Sequence, residues 1–278
     1  MTTNYSPNNI YLDSDHINYM EWEHKNAPML ILLHELGDNA LCWANLVDQL
    51  ITTYNIIALN YDKNLLSIDT KCSGTILENK QGSFLNRQIN DLHKVIEINK
   101  IDSAIIVGHG YGGSAALSYA YNYPNKVDKL ILIDTSFDEV NKYEHIKTEV
   151  IKPELKCVQE IDKVVEILNK MQPQSSLETL ELQAKHLTTV GSNGNLRWIY
   201  EASIYEKYSQ PSLWCMWTKL TCPILYVRGR QSQHITHFEA VTIKESQLNC
   251  RLAEPEGGGH WLHQESLGAF VSAFKWFV

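Results

Sequence analysis

The sequence lacks an excess of positive charge, a long hydrophobic run and a targeting pattern. With 24 basic and 32 acidic residues among 278, the formal net charge is −8, which argues against nucleic acid or an anionic membrane as a main partner. No apolar run reaches the roughly 18–20 residues that cross a bilayer. Residues 1–15 do not show the basic and then apolar pattern of a signal peptide. These absences predict a cytoplasmic protein with no membrane partner.

The sequence also lacks the spacing of a metal or disulfide framework. Its six cysteines are scattered without a C-x-x-C pair, so free thiols are expected. His234, His237 and His260 are not spaced as a known ligand set, and the first two are expected to be solvent-exposed loop residues. We therefore predict no metal and no other cofactor.

Strand and helix patterns alternate along most of the chain. Continuous apolar runs typical of strands buried on both faces occur at residues 29–33, 55–59, 104–107, 130–133, 223–227 and around 251–253. Helical periodicity occurs at 43–50, 84–99 and 263–277, and a hairpin pattern at 8–13 and 16–23. This alternation predicts right-handed crossovers and a mainly parallel sheet.

The pattern changes between residues 138 and 218, where helices are predicted at 162–171, 176–187 and 195–208 and no strand is evident. We interpret 138–218 as a helical insert in a core formed by 1–137 and 219–278. Aromatic residues crowd its second half, and Trp214 and Trp217 are predicted to contact a small apolar or aromatic ligand. Alternatively, these rings form the core of the insert itself.

Residues 104–115 combine an apolar run, a sharp glycine turn and the start of a helix, as in the nucleophile elbow G-x-S-x-G. The five positions of the motif are Gly108, His109, Gly110, Tyr111 and Gly112. The glycine frame is complete, but Gly110 stands where the motif has its serine. The turn therefore has no hydroxyl with which to attack a substrate.

Four motifs, in order, resemble those of the α/β-hydrolase superfamily, of the lid-bearing type that includes small esterases, C–C bond hydrolases and haloperoxidase-like members. They are the loop at 34–38 (H-G-x-G-D in the family), the elbow at 108–113, the segment 228–233 (R-G-x-x-S-D) and the histidine loop at 258–261. The resemblance covers nearly the whole chain outside 138–218. It implies an α/β-hydrolase fold, with a mostly parallel twisted sheet flanked by helices and the insert as a lid.

The mechanism of this family needs a hydroxyl, a histidine, a carboxylate and an oxyanion hole of backbone N–H groups. The nucleophile position is Gly110 and the usual acid position is Gln233, so covalent serine hydrolysis is predicted to be absent. His260 remains at the histidine position. Asp134 ends the strand after the elbow helix, where some relatives carry an alternative acid, although aspartate is also common there for loop reasons.

Glu35 is the most informative departure after Gly110, because relatives usually have glycine at its position. A carboxylate that points inwards would oppose an oxyanion, but it could act as a general acid or base beside His260. A carboxylate that points outwards would be a solvated loop residue. The backbone N–H groups of Leu36 and Tyr111 are expected to form an oxyanion hole that binds a carbonyl or carboxylate oxygen of the substrate.

Other polar residues near the motifs have mainly structural interpretations. Ser114 is either a displaced nucleophile or a small residue that allows close contact between helix and sheet, and we favour the second. His109 is expected to pack under the sheet, His34 to support its own loop by hydrogen bonding, and His263 to pack locally.

These residues support three functional hypotheses. The first is a non-covalent enzyme in which His260, with Glu35 or Asp134, moves a proton during elimination, cyclisation, isomerisation or decarboxylation of a small apolar or aromatic carbonyl compound. In this hypothesis Gly110 is part of the substrate site. The alternatives are an inactive protein that binds a small molecule or a partner, and a weak hydrolase in which His260 activates water.

Overall fold

An eight-stranded sheet organises the chain, whose computed structural model describes residues 6–12, 15–60, 83–138, 160–191, 194–199 and 212–278. Its strands are Ser6–Leu12 (β1), Asp15–Trp22 (β2), Met29–Leu33 (β3), Asn55–Asn60 (β4), Ala104–His109 (β5), Val127–Ile133 (β6), Ile224–Val227 (β9) and Cys250–Ala253 (β10). Two further strands, Thr188–Val190 (β7) and Leu196–Trp198 (β8), pair with each other outside this sheet.

The strand order is β1-β2-β4-β3-β5-β6-β9-β10. β1 and β2 form an antiparallel hairpin and β2 runs antiparallel to β4, whereas every other neighbouring pair is parallel. The mostly parallel sheet and its predicted strands are therefore confirmed. The helices are Ala44–Leu50 (α1), Ser83–Ile98 (α2), Tyr111–Asn122 (α3), Ile161–Met171 (α4), Leu177–Leu187 (α5), Trp214–Trp217 (α6), His237–Glu245 (α7), Leu262–Glu265 (α8) and Leu267–Phe277 (α9).

The central strands are apolar throughout because both faces of the sheet are covered. In β3, Ile31 and Leu33 face one hydrophobic core, which includes residues of α2 and α3. Leu30 and Leu32 face the other core, which includes residues of α1 and α9. Successive side chains of a strand point to opposite faces, so each central strand supplies both cores. This explains why these runs show no polar alternation.

Helices α4 and α5 lie in the segment between β6 and β9 and pack on each other through a small core of their own. The predicted helix at 195–208 is wrong for its described residues, because Leu196–Trp198 pairs antiparallel with Thr188–Val190. Two β-branched threonines and a valine favour β7, and Gly194, with a φ of 80°, allows the turn that joins the strands. Residues 200–208 of that prediction lie outside the described residues.

The predicted helix at 263–277 is two helices, α8 and α9, because Ser266 between them has a non-helical backbone (φ −138°, ψ 60°). None of the helices in the described part of the chain has the length and apolar character needed to cross a bilayer. Strands β3, β5 and β6 are parallel neighbours, so the residues that follow them meet at one edge of the sheet. That edge carries the candidate site.

Candidate active site

The turn between β5 and α3 has the backbone of the predicted elbow. Gly110 has a φ of 51° and a ψ of −111°, a conformation that glycine adopts far more readily than other residues. Its N–H donates to the Ile133 carbonyl at 2.9 Å, and the N–H groups of Gly113 and Ser114 donate to the Gly110 carbonyl. The Ser114 side chain is fully buried in α3. This position agrees with its interpretation as a small packing residue.

The carboxylate of Glu35 points into the site and occupies the predicted oxyanion hole. Its Oε1 accepts hydrogen bonds from the backbone N–H of Leu36 at 2.5 Å and of Tyr111 at 3.0 Å. Its Oε2 lies 3.0 Å from His260 Nε2. The side chain also fills the space above Gly110, and only 2% of the residue is exposed. Both donors predicted for the substrate are therefore used by the protein itself.

Asp134 contacts the opposite side of the same imidazole. Its Oδ2 lies 2.7 Å from His260 Nδ1 and accepts a hydrogen bond from Ser232 Oγ at 2.6 Å. Its backbone φ of 46° is uncommon for a residue other than glycine, and such conformations cluster at functional sites. Asp134 thus lies where it can orient His260, whereas Gln233, at the usual acid position, is exposed.

Two carboxylates determine the charge of His260. Burial alone would lower the pKa of this imidazole, but the hydrogen bonds and negative charges of Asp134 and Glu35 outweigh burial and raise it to about 9. Burial raises the pKa of Asp134, and the contacts with His260 and Ser232 oppose that rise. At neutral pH His260 is therefore a cation that donates from both ring nitrogens, to Asp134 and to Glu35.

The neighbouring imidazoles are neutral and support the backbone. Burial lowers the pKa of His34 and of His263 to about 3, and that of His109 well below its ordinary value. His34 Nδ1 lies 2.7 Å from the Glu35 carbonyl, and His109 Nε2 lies 2.9 Å from the His260 carbonyl. Their positions agree with the structural roles expected for them.

His234 does not fit its expected role as a solvent-exposed loop residue. Its ring is half-buried and stacks on that of His260, with 4.0 Å between centroids and 26° between planes. His237, by contrast, is largely exposed and contacts Glu254 Oε2 at 2.7 Å. The sequence indicates this position of His234 only indirectly. His234 follows the segment 228–233, and that segment lies against the histidine loop.

The loop after β9 holds Ser232 in place beside Asp134. The Arg228 guanidinium donates to the carbonyls of Ile235, at 2.6 Å, and Ser232, at 3.2 Å, and so closes the loop. A Cβ added to Gly229 would lie 2.0 Å from the carbonyl oxygen of Gly259, so the backbone of this loop touches the histidine loop directly. Ser232 is a site residue that the sequence did not identify, although it lies within the motif at 228–233. Its hydroxyl contacts Asp134.

Three buried side chains, Glu35, His109 and His260, have possible metal-ligand atoms within 4.8 Å of one another. Glu35 already contacts the imidazole of His260, and His109 contacts the His260 carbonyl. A metal ion held by Glu35 Oε2 and His260 Nε2 would have to replace the hydrogen bond between them. Glu35 and His260 thus satisfy each other, whereas the buried Nδ1 of His109 has no hydrogen-bond partner among the described residues.

A pocket lies between the loop after β3 and helices α4 and α5, with Glu35 in its wall. Its empty space, including the part open to solvent, is about 530 Å³. Apolar groups form most of the described lining, which includes Leu36, Leu168, Met171, Leu187, Trp198 and Trp261. The polar lining residues are Glu35, Asp38, Gln172 and Gln183, and Gln172 Nε2 donates to Gln183 Oε1 at 2.6 Å. An apolar pocket with a few polar groups suits a small organic molecule.

The two tryptophans predicted to contact the ligand lie elsewhere. Trp217 is fully buried in the main core, and its Nε1 lies 3.1 Å from the Ile243 carbonyl and 2.9 Å from Ser246 Oγ. Trp214 donates its Nε1 to Asp138 Oδ1 at 2.6 Å. Among the described residues that line the pocket, the tryptophans are Trp198 and Trp261. Trp217 is thus a core residue, but it belongs to the main core and not to the separate core of the insert.

Comparison with known proteins agrees with the fold. Residues 28–150 match the family model described as alpha/beta hydrolase fold. An uncharacterised protein of Mycobacterium bovis is 29% identical over 108 residues, which are 39% of this chain and 29% of that protein, so this chain matches less than a third of its length. The Escherichia coli esterase YbfF is 20% identical over 92% of this chain and 94% of its own.

Among solved structures, E-2-(acetamidomethylene)succinate hydrolase has the same fold, with a TM-score of 0.83 and 17% identity over 99% of both chains. The chain therefore has the α/β-hydrolase fold.

Proposed function

We propose that this protein is a non-covalent acid/base enzyme in which Glu35 and His260 move a proton on a small apolar or aromatic carbonyl compound. The observation that carries the proposal is the position of the Glu35 carboxylate. It occupies the space of a side chain at Gly110, and it contacts the His260 nitrogen that would otherwise face a serine hydroxyl. Elimination, cyclisation, isomerisation and decarboxylation fit this site because none of them requires a nucleophilic serine.

The charges assign the roles of the two residues. His260 is protonated at neutral pH, with a pKa of about 9, so it stabilises Glu35 and does not itself accept a proton. Glu35 Oε1 is held by two backbone N–H groups, which leaves Oε2, hydrogen-bonded to His260, to accept the proton of the substrate. A positioned acid or base raises a reaction rate by about 10²–10⁴-fold. Removal of the Glu35 carboxylate should therefore lower the rate at least about 100-fold.

Helices α4 and α5 act as a lid over this reaction. They supply Leu168, Met171 and Leu187 to the pocket, and an apolar cover excludes water from the proton-transfer step. The apolar surface and the adjoining Trp198 favour a substrate with an aromatic or aliphatic body next to its carbonyl group.

An inactive binding protein is a second candidate, and the occupied oxyanion hole favours it. Because Leu36 N–H and Tyr111 N–H both donate to Glu35, the pocket can hold a ligand beside a closed hydrogen-bond network. The ligand would then bind through apolar contacts without chemical change.

Weak hydrolysis is a third candidate, favoured by the names of the relatives. YbfF is named an esterase, and the structural relative is named a hydrolase. In this chain hydrolysis would proceed through water activated by the Glu35–His260 pair. Because Glu35 fills the space above Gly110, that water would have to approach from the pocket.

Exchange of α-protons in deuterium oxide tests the proposal. We expect the protein to catalyse exchange at the benzylic position of phenylacetone, followed by proton NMR, and Glu35→Gln to lower the rate at least 100-fold. Glu245→Gln, the same change at an exposed position of α7, should leave the rate unaltered. Phenylacetone that binds without exchange would support the inactive binding protein, and His260-dependent release of nitrophenol from p-nitrophenyl acetate would support the hydrolase.

A further inference from the structure

Asp38 is a second buried carboxyl group beside the same pocket, and the proton transfer proposed above does not use it. Residues 35–38 form a tight turn, in which the Asp38 N–H donates to the Glu35 carbonyl at 3.1 Å. Gly37, the third residue, has the positive φ (81°) that a type II turn requires at that position. The first and last Cα atoms of such a turn are less than about 7 Å apart. Glu35 and Asp38 thus lie close together, and both line the pocket.

The two carboxyl groups have opposite surroundings. Glu35 accepts hydrogen bonds from Leu36, Tyr111 and His260, a set of donors that stabilises a carboxylate anion. Asp38 Oδ1 accepts one hydrogen bond, from the Asn39 N–H at 2.9 Å, and its buried Oδ2 has no partner within normal hydrogen-bond geometry among the described residues. Burial with one close backbone hydrogen bond and no cationic partner among the causes that act on Asp38 favours the neutral, protonated form of its carboxyl group.

The pKa of Asp38 reflects its buried surroundings. Burial raises the pKa of Asp38 to about 7, and the nearby charge of Glu35 adds to this rise. Hydrogen bonds from the Asn39 N–H and from the side chains of Cys42 and Gln264 oppose it. Among the described residues, the titratable groups that interact with Asp38 are Glu35 and Cys42. Burial raises the pKa of the Cys42 thiol well above its usual range. Two nearby carboxyl groups with different protonation states are a common basis for acid and base roles in one site.

We propose that Asp38 is the general acid that complements Glu35 as the general base, so that the two ends of one turn act on adjacent atoms of the substrate. The inference rests on the proposed function, because Glu35 must accept the proton. It narrows the reaction to the dehydration of a β-hydroxy carbonyl compound.

In this reaction the Glu35 carboxylate removes a proton from the carbon next to the carbonyl group. The electrons of that C–H bond form the carbon–carbon double bond, and the C–O bond at the β-carbon breaks. Asp38 gives its proton to the leaving oxygen, which departs as water. The proton on Glu35 then passes through this water to Asp38, and both groups return to their starting states without a cofactor.

The two steps can be separated because they need different groups. Exchange of an α-proton requires a base, whereas departure of a hydroxyl group also requires a proton donor. A variant without the Asp38 proton should therefore still exchange α-protons but should fail to dehydrate a β-hydroxy ketone.

The experiment measures both activities in wild type, Asp38→Asn and Glu35→Gln. The probes are phenylacetone, for exchange, and 4-hydroxy-4-phenylbutan-2-one, whose dehydration to the conjugated enone is followed by absorbance. We expect Asp38→Asn to lower the rate of dehydration about 100-fold more than it lowers the rate of exchange, and Glu35→Gln to lose both activities. Asp48→Asn, the same change at an exposed position of α1, should retain both.

The outcomes separate the inference from the proposed function. Dehydration by Asp38→Asn at the wild-type rate, or exchange by wild type without any dehydration, overturns the role of Asp38 and leaves Glu35 as the base. Exchange that survives Glu35→Gln overturns both. Infrared difference spectra of wild type minus Asp38→Asn give a second test that needs no substrate. A carboxylic-acid carbonyl band below pH 7 that is lost at higher pH supports the role, whereas a carboxylate at every pH overturns it.

Discussion

Glu35 Oε2 occupies the space that a side chain at Gly110 would need. A Cβ added to Gly110 would lie 1.6 Å from this oxygen, so the inward carboxylate and any larger residue at position 110 exclude each other. The two departures from the family pattern are therefore physically coupled. Glycine at 110 makes room for the carboxylate, and the carboxylate makes the hydrogen bond to His260 that the missing hydroxyl would have made.

The coupling predicts how the nucleophile can be restored. Gly110→Ser alone should give almost no hydrolysis of p-nitrophenyl acetate and a less stable protein, because the serine collides with Glu35 at a backbone where non-glycine residues cost about 1–3 kcal/mol. The double variant Glu35→Gly, Gly110→Ser removes the collision and frees the N–H groups of Leu36 and Tyr111. It should hydrolyse the ester at least 100-fold faster, each oxyanion-hole donor contributing about 10²–10³-fold.

Labelling by a fluorophosphonate, which needs a nucleophilic serine, provides the control for this prediction. The double variant should be labelled, and the same protein with His260→Gln should not. Brisk hydrolysis by Gly110→Ser alone would show that Glu35 moves aside easily and would contradict the coupling.

The pKa of His260 should depend on both carboxylates. NMR titration of the imidazole should give a value near 9 in wild type and lower values in Glu35→Gln and Asp134→Asn, because each change removes one negative charge. A fall of one pKa unit corresponds to about 1.4 kcal/mol of lost interaction. His263, whose burial lowers its pKa to about 3, should stay neutral throughout and serve as the internal reference. An unchanged value in Glu35→Gln would mean that its carboxylate does not contact the ring in solution.

The stability of the protein should reflect the same contacts. The pKa of His260 is higher in the folded chain, about 9, than its ordinary value of 6.5. Its contribution to the free energy of unfolding is thus complete below about pH 6.5 and is lost as the pH rises through 9, at up to about 1.4 kcal/mol per pH unit. Urea unfolding of wild type and His260→Gln should show a difference that declines across this range. Asp38, with a pKa of about 7, also makes stability depend on pH. It does so in both wild type and His260→Gln, so its contribution largely cancels in the difference between them. A constant difference would refute the prediction.

Removal of the Glu35 side chain should create a binding site for a small carboxylate. In Glu35→Gly the N–H groups of Leu36 and Tyr111 and the imidazole of His260 remain without the carboxylate that they contact. Formate should occupy this space and raise the melting temperature, by an amount that grows with its concentration because it binds only the folded state. Chloride at equal ionic strength should do less, and Glu35→Gly, His260→Gln should not respond to formate. Equal effects of formate and chloride would show that the donors do not form an anion site.

The tryptophans of the core and of the pocket should respond differently to substitution. Trp217→Phe removes an indole N–H that contacts the buried Ile243 carbonyl and the Ser246 hydroxyl. It should lower stability by about 1–3 kcal/mol while phenylacetone binding persists. Trp198→Ala changes the wall of the pocket and should weaken that binding with a smaller loss of stability. NMR titration and urea unfolding measure the two quantities. Loss of ligand binding in folded Trp217→Phe would indicate that this side chain also affects the pocket.

The sheet could be predicted from the sequence because its strands have a strong local signal. β3 to β6 and β9 are apolar runs that end at turn residues, and burial on both faces explains the absence of alternation. The pair β7 and β8 was missed because three-residue strands carry too little pattern to separate from the end of a helix. The break at Ser266 was missed for a similar reason, since the apolar periodicity continues across it.

The site was only partly predictable because its geometry depends on distant groups. Asp134 could be proposed as an acid from its place at the end of β6. The orientation of Glu35 could not be chosen, since its donors come from its own loop, from the start of α3 and from His260, 225 positions away. The roles of Trp214 and Trp217 were assigned from composition, which does not tell which ring faces a pocket and which faces the core.

The contact between Gly229 and Gly259 explains the glycines of the R-G and G-G-H motifs. A methyl group on Gly229 would lie 2.0 Å from the Gly259 carbonyl oxygen. It would therefore push apart the loops that present Ser232 and His260. The R-G and G-G-H motifs thus describe how two backbones fit together, and they would be needed whether the protein transforms a molecule or merely holds one. A search for proteins that share this chemistry should therefore look for glutamate and glycine together at positions 35 and 110.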